Sequence, residues 1–178
     1  MSVRLRALLP LLLAAAVLAV PREALAAPKC FGERATIVGS SGSDRLRGTK
    51  GRDVIVGLGG NDRITGGRGR DLICAGRGSD VVSGGRGADK IAGGRGNDRL
   101  TGGRGDDTLK GGLDRDHLLG GDGNDTLEGN RGDDMLRGRR GNDRMFGGDG
   151  SDIMEGYSGA DRFDGGSGAD YASFLDLP

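Results

Sequence analysis

The sequence predicts an all-β fold, a solenoid in which two nine-residue repeats make one coil and two parallel sheets face each other. The nine-residue period runs without insertion or deletion from Gly39 to Ser173. One Asp and one apolar residue recur at fixed places of that period, and a fixed period is the signature of a repeat architecture. Glycine accounts for 39 residues and aromatic side chains for only 3%, which argues against an ordinary globular core.

The N-terminal stretch has the pattern of a secretory signal peptide over residues 1–26. Arg4 and Arg6 precede an apolar run from Ala7 to Val20, and residues 24–26 supply small side chains at the cleavage spacing. A transmembrane anchor is the alternative, but Pro10 interrupts the run and the run is short for a bilayer. We therefore expect a secreted, extracellular protein with no membrane span in its mature form.

Residues 27–38 precede the repeats and share their phase. We interpret Ala35–Val38 as an N-terminal capping strand, with Phe31 available to cover the first coil, because a solenoid needs an atypical end. Cys30 and Cys74 are the only cysteines, and a secreted chain favours a disulfide between them. Two unrelated thiols are the alternative.

Fifteen consecutive repeats occupy residues 39–173. The sixth place is Asp in every repeat: Asp44, Asp53, Asp62, Asp71, Asp80, Asp89, Asp98, Asp107, Asp116, Asp125, Asp134, Asp143, Asp152, Asp161 and Asp170. The eighth place is always apolar: Leu46, Ile55, Ile64, Ile73, Val82, Ile91, Leu100, Leu109, Leu118, Leu127, Leu136, Met145, Met154, Phe163 and Ala172. Chance does not produce two such columns.

Each repeat reads as a turn followed by a very short strand. The first and fourth places are Gly except at Ala75 and Asp114, and regular glycines indicate tight turns whose carbonyls converge. The last three places alternate polar, apolar and polar, so the middle side chain faces inward. Each residue then lies over its equivalent two repeats later at about 4.8 Å, which gives a rod of roughly 36 Å with the Asp residues in two columns, one along each edge.

Aromatic residues gather at the end of the chain. Five of the six follow Arg144, a position that favours a hydrophobic plug over a ligand-stacking platform: Phe146, Tyr157, Phe163, Tyr171 and Phe174. Residues 174–178 are expected to form a C-terminal tail.

The two columns of Asp side chains predict metal-binding sites between successive turns. Two carboxylates about 4.8 Å apart repel by roughly 3.5 kcal/mol at an effective dielectric constant near 20, and a cation between successive turns reverses the sign of that interaction. Carboxylates and turn carbonyls are all-oxygen ligands, which suit calcium better than magnesium or zinc. His117, the only histidine, stands at an outward place and is interpreted as a surface residue.

Repeats such as GGRGNDRLT resemble the nonapeptide G-G-x-G-x-D-x-U-x of the RTX, or hemolysin-type, calcium-binding family, over the whole of residues 39–173. The segment CFGERATIVG is also similar to the start of small secreted proteins of that type. The resemblance implies a right-handed parallel β-roll, in which the sixth-place Asp of each repeat is a calcium ligand and backbone oxygens of the glycine turn complete the sphere. Columns of eight and seven turns allow at most 13 calcium ions between turns.

Seven of the fifteen repeats keep all three glycines of the pattern, and four of the other eight are expected to bind calcium poorly. The three opening repeats read GSSGSD, GTKGRD and GLGGND, and a later one reads GGLDRD because Asp114 replaces the fourth glycine. We expect a weak or missing site in each of them.

Charge is distributed unevenly along the chain. Residues 39–110 contain 14 basic and 9 acidic side chains, whereas residues 111–178 contain 7 and 15. Seven third places are arginine: Arg68, Arg77, Arg86, Arg95, Arg104, Arg131 and Arg140. These guanidinium groups have three interpretations: they neutralise the Asp columns, they bind a cell-surface or other anionic polymer such as a wall polysaccharide or nucleic acid, or they only balance charge on a solvated face.

The leading hypothesis is a secreted, non-catalytic protein that folds as it binds calcium. An enzyme is the rival, since repeats of this family are often appended to proteases, lipases or epimerases. Of the expected mature chain only residues 27–38 precede the repeats and only residues 174–178 follow them, so we expect neither an active site nor a small-molecule substrate. Adhesion or polyanion binding, with the calcium-stabilised roll as scaffold, is the alternative function.

Overall fold

The computed structural model describes residues 27–174, so the predicted signal peptide at residues 1–26 lies outside the described residues, as does most of the predicted tail. Within this range none of the elements is a helix that could cross a membrane. The described chain forms 18 strands: β1 (Lys29–Cys30), β2 (Glu33–Arg34), β3 (Ile37–Val38), β4 (Arg45–Arg47), β5 (Val54–Gly59), β6 (Arg63–Arg68), β7 (Leu72–Arg77), β8 (Val81–Arg86), β9 (Lys90–Arg95), β10 (Arg99–Arg104), β11 (Thr108–Leu113), β12 (His117–Asp122), β13 (Thr126–Arg131), β14 (Met135–Arg140), β15 (Arg144–Asp149), β16 (Ile153–Ser158), β17 (Arg162–Ser167) and β18 (Tyr171–Ser173).

Successive strands alternate between two parallel sheets. The even-numbered strands β4 to β18 form one eight-stranded sheet, and the odd-numbered strands β3 to β17 form the other. Residues that pair across neighbouring strands are two repeats apart throughout, as in Leu100 beside Leu118 and Leu109 beside Leu127. The predicted all-β solenoid of facing parallel sheets, with two repeats in each coil, is confirmed.

The strands are longer than predicted. Most contain six residues, because the first three places of the next repeat continue the strand that the last three places begin; β10, for example, ends at the third-place Arg104. The second-place glycine allows this continuation, since Gly103 has a φ of 121° that side chains rarely adopt. The second place is not glycine in six repeats; Leu58, Asn130, Arg139 and Tyr157 still take φ values of 77–86° there, whereas Ser40 and Thr49 do not take a positive φ.

The core is a double row of the predicted eighth-place side chains. From Ile55 to Met154 these residues are at most 2% exposed and form one continuous cluster. The first-place Ala75 joins this cluster, while Ile37, Leu46 and Phe163 pack against its ends half-buried. Ala172 was predicted to face inward with the others, but it is exposed, because no coil stacks on β18 within the described residues.

The N-terminal segment differs from the predicted single capping strand. β1 and β2 form an antiparallel hairpin, with Lys29 beside Arg34, and β3 then enters the odd-numbered sheet. Cys30 of the hairpin packs in a second cluster with Val54, Val56 and Leu72. The hairpin therefore covers apolar residues at outward places, and Phe31 stays 41% exposed at the turn instead of covering the first coil.

A disulfide joins Cys30 to Cys74, with the two Cα atoms 5.7 Å apart, as predicted. Cys74 belongs to β7, so the bond fastens the hairpin to the second full strand of the odd-numbered sheet.

The predicted aromatic plug at the far end is only partly formed. Phe163 packs against the core, and its ring contacts the ring of Phe174 edge to face at 4.7 Å between centroids. Phe146, Tyr171 and Phe174 are exposed, at 41%, 61% and 62%. Two aromatic rings rather than five therefore cover the last coil.

Candidate metal centre

From β5 onward three residues link each strand to the next one, and the last of them is the sixth-place Asp. In the turn between β10 and β11, residues 105–107, Gly105 has a φ of 118° and Asp107 directly precedes β11. The backbone carbonyl of Asp107 accepts the N–H of Thr126 in the next coil at 2.8 Å. The glycine turn thus holds the Asp at a fixed point of every coil.

The carboxylates of these aspartates are buried, which the sequence did not reveal. Thirteen of the fifteen are at most 9% exposed, from Asp53 to Asp161. Only the terminal residues differ, since Asp44 is half-buried and Asp170 is exposed. The register of two repeats per coil places all fifteen in the two predicted columns.

One oxygen of each carboxylate is used by the fold. From Asp44 to Asp152 the N–H of each Asp donates a hydrogen bond to Oδ1 of the equivalent Asp in the next coil, at 2.7–3.0 Å in both columns. Asp98 donates to Asp116 and Asp116 to Asp134, for example. This contact fixes the orientation of the side chain and hence the position of its second oxygen.

The second oxygen has no partner. Oδ2 is fully buried and accepts no hydrogen bond in twelve aspartates: Asp62, Asp71, Asp80, Asp89, Asp98, Asp107, Asp116, Asp125, Asp134, Asp143, Asp152 and Asp161. A buried unpaired acceptor costs about 1–3 kcal/mol, and more when it is charged. Twelve such atoms in two regular columns indicate a cationic partner.

The first two repeats satisfy this oxygen internally. Oδ2 of Asp44 accepts the N–H of Ser40 at 2.6 Å and its hydroxyl at 2.9 Å. Thr49 makes the same two contacts to Asp53, at 2.6 and 3.0 Å. A hydroxyl residue at the second place, four residues before the Asp, is the sequence signal for this local turn. The other two departing repeats keep the unpaired oxygen, on Asp62 and Asp116.

The surroundings of Oδ2 fit a calcium ion. A Cβ added to the first-place Gly93 would contact Oδ2 of Asp98 and lie 2.8 Å from the carbonyl oxygen of Gly111 in the next coil. Gly120 faces Asp125 Oδ2 and a carbonyl oxygen in the same way. No three His, Cys, Asp or Glu side chains converge anywhere in residues 27–174, so backbone oxygens must complete the sphere. An all-oxygen set of this kind suits calcium.

Burial raises the pKa of the aspartates along the middle of each column. Desolvation is the largest cause, and it raises the pKa of Asp98 to about 7 and that of Asp116 to about 8. The hydrogen bond to Oδ1 lowers the pKa of each, and repulsion by neighbouring aspartates raises it further. The sequence predicted mutual repulsion as the cost of the columns, but loss of hydration is the larger one.

The third-place arginines do not neutralise these columns. Among the described residues, three of the third-place arginines form ion pairs: Arg104 and Arg140 with Asp122, and Arg131 with Asp149. Asp122 and Asp149 are exposed third-place residues, so these pairs lie on the outer surface. The interpretation of the arginines as partners of the sixth-place aspartates is therefore wrong, because the strands direct the two sets of side chains to different places.

Acidification is expected to favour the metal-free fold. The folded-state pKa of the central aspartates lies above the ordinary value of 3.8, so the folded protein takes up protons between pH 8 and 4 and gains stability as the pH falls. Metal ions compete with these protons. In calcium-free buffer the far-ultraviolet circular dichroism signal of strands should be larger at pH 5.5 than at pH 8. A smaller signal at pH 5.5 would contradict the assignment of buried, unpaired carboxylates.

Comparison with protein families identifies the repeats. A model described as the RTX calcium-binding nonapeptide repeat, built from four copies, matches residues 38–73, 75–109, 101–136, 110–145 and 137–172. These segments cover nearly all of the two sheets. Comparison with curated proteins gives no match.

Proposed function

Because this chain belongs to the family of RTX calcium-binding nonapeptide repeats, we propose that it is a secreted, non-catalytic protein whose roll folds as calcium enters its turns. The observation that carries the proposal is the double column of buried carboxylate oxygens without a partner. The ion supplies the positive charge that these oxygens need when they leave water. Metal binding and folding are then one event, since the two neighbouring coils must be stacked before their oxygens converge.

Consecutive aspartates of one column hold each ion between them. Asp98 and Asp116 are such a pair, and the carbonyl oxygen of Gly111 beside Asp98 Oδ2 is a further ligand. Each column contains six aspartates with an unpaired Oδ2, which gives five intervals per column and about ten ions in all. The fifteen turns set the upper limit at 13. Ser40 and Thr49 already supply donors to Asp44 and Asp53, so the first two turns contribute least.

Two further features support secretion. Residues 1–26 have the composition of a signal peptide. The Cys30–Cys74 disulfide suits an oxidising compartment. Outside the cell calcium is available at millimolar concentration, which matches the affinity of extracellular calcium modules.

Native mass spectrometry of the mature protein in calcium tests the proposal by counting bound ions. We expect about ten for the wild type and one or two fewer for Asp116→Asn, which keeps the side-chain shape but removes the buried charge. Asp114→Asn is the matched control in the same repeat, because Oδ2 of Asp114 already accepts the N–H of Gly96 at 3.1 Å. It should leave the count unchanged.

The same pair of variants separates calcium binding from ordinary packing. In calcium-free buffer at a pH above the pKa of about 8 of Asp116, Asp116→Asn should stabilise the fold by about 1–3 kcal/mol, because it removes a charged acceptor that has no partner. With calcium it should destabilise the fold, because a ligand is lost. An Asp116→Asn protein that binds as many ions as the wild type, or shifts stability in the same direction in both buffers, would contradict the proposal.

A second function, binding of an anionic polymer, is favoured by one observation. Arg68 and Arg86 lie side by side on the outer surface, and within residues 27–174 neither forms an ion pair. Adjacent unpaired guanidinium groups attract an anion with several charges.

A further inference from the structure

A groove follows the outer face of the even-numbered sheet along much of the roll. Its floor consists of second-place glycines, which leave the backbone uncovered over four consecutive coils: Gly67, Gly85, Gly103 and Gly121. The third-place side chains form one wall, and ninth-place residues such as Thr65 and Leu119 form the other. We call this channel the basic groove because its third-place wall begins with Lys50, Arg68, Arg86 and Arg104; Asp122, Arg140 and Ser158 continue it.

The charge on this wall is unbalanced at one end. Arg68, Arg86 and Arg104 are in register on adjacent strands, at the usual strand spacing of about 4.8 Å. Arg104 lies 3.7 Å from the next third-place residue, Asp122, in an exposed ion pair. In the described chain Lys50, Arg68 and Arg86 form no such pair. Like charges at this spacing repel one another, so a negatively charged ligand would stabilise the wall.

We propose that the basic groove binds a linear anionic polysaccharide that carries carboxylate or sulfate groups, an inference that rests on the second function given above. Guanidinium groups bind two oxygens of a planar carboxylate or of a tetrahedral sulfate through paired hydrogen bonds. The wall offers one cation per coil, a spacing comparable with the length of one sugar unit. The glycines that line the floor carry no side chains, so an extended chain can approach the backbone there closely.

The groove fits a polysaccharide better than a nucleic acid. Proteins that bind single-stranded nucleic acids stack bases on aromatic side chains. Among the described residues that line the groove the only aromatic one is Tyr157 at its far end, where the guanidinium of Arg139 already lies 5.3 Å from the ring centroid. The wall from Lys50 to Arg104 offers positive charge but no aromatic surface on which bases could stack.

The test is a titration of the full-length mature protein, in calcium buffer, with a fluorescein-labelled heparin oligosaccharide as probe. The variant is Arg68→Gln with Arg86→Gln. The matched control is Arg77→Gln with Arg95→Gln, which removes the same two charges from the same two places in register on the opposite sheet. On that sheet the row of third-place arginines contains only two residues, because Gly59 pairs with Arg77 on one side and Leu113 pairs with Arg95 on the other.

We expect the groove variant to bind the heparin probe about tenfold more weakly. The slope of the logarithm of the binding constant against the logarithm of the salt concentration should become smaller by about two, one for each charge removed. The control should stay within about twofold of the wild type. Equal losses in both variants would overturn the groove assignment but leave polyanion binding intact. No binding by the wild type would overturn both, and tighter binding of an oligodeoxythymidylate of equal charge would assign the groove to nucleic acid. Circular dichroism in calcium verifies that all proteins are folded.

Discussion

Removing calcium from the intact protein is expected to unfold the roll in one steep transition. Each buried carboxylate oxygen without a partner costs about 1–3 kcal/mol, and there are twelve of them. Their sum is as large as, or larger than, the roughly 5–15 kcal/mol by which a domain is usually stable. Because the Asp hydrogen bonds connect each coil to the next, the loss of one ion weakens the sites on both sides.

A calcium titration followed by far-ultraviolet circular dichroism measures this transition. The strand signal should rise over a narrow range of calcium concentration, with a Hill coefficient well above one, and magnesium at the same concentration should not replace calcium. A chelated protein that keeps the strand signal and the melting temperature of the calcium-loaded form would show that the roll is stable without metal.

Replacing Gly87 by alanine is expected to be among the most damaging single changes, with a loss of about 4 kcal/mol or more in the free energy of unfolding. Gly87 is a fourth-place glycine with a φ of 124°. An added Cβ would collide with the carbonyl oxygen of Gly69 in the preceding coil and lie 2.6 Å from its carbonyl carbon. Both are backbone atoms of a hydrogen-bonded coil, so neither can move away without separating the strands.

Gly32→Ala is the control for backbone conformation alone. Gly32 also has a positive φ, 86°, but a Cβ there has nothing within 4 Å. The cost should be about 1 kcal/mol. Urea unfolding of both variants in calcium separates the two effects, and equal losses would exclude the contact between coils as the cause. The chain itself tolerates Asp114 at a fourth place, where φ is only 75°, a left-handed conformation that Asp adopts more readily.

The period alone predicts much of the fold and of the site. Two invariant places in each repeat specify which side chain faces inward, which one lines the turn, and that Leu109 lies beside Leu127. The carboxylate ladder follows from the same register. These features are local and repeated, so every repeat gives independent support for them.

The sequence could not predict two kinds of feature. One is the packing at the two ends of the roll, and the other is the burial of side chains in the turns. The β1–β2 hairpin forms because Val54, Val56 and Leu72 leave an apolar outer surface, which becomes visible only once the coils are stacked. Ala172 has the inward place, but β18 is the edge strand of the described sheet and no described coil covers it. The raised pKa of Asp116 is mainly a consequence of desolvation, and spacing along the chain gives no measure of hydration.

The Cys30–Cys74 disulfide has a consequence for how the repeats find their partners. Fifteen similar repeats can also align one full coil out of step, since a shift by two repeats again places apolar beside apolar and Asp beside Asp. The bond joins a segment that has no copy elsewhere in the sequence to one particular strand, β7. The disulfide therefore fixes the register in which the first strands pair, and it excludes alignments that are shifted by a full coil. It does so at the N-terminal end of the roll, where the hydroxyl-containing turns depend least on metal.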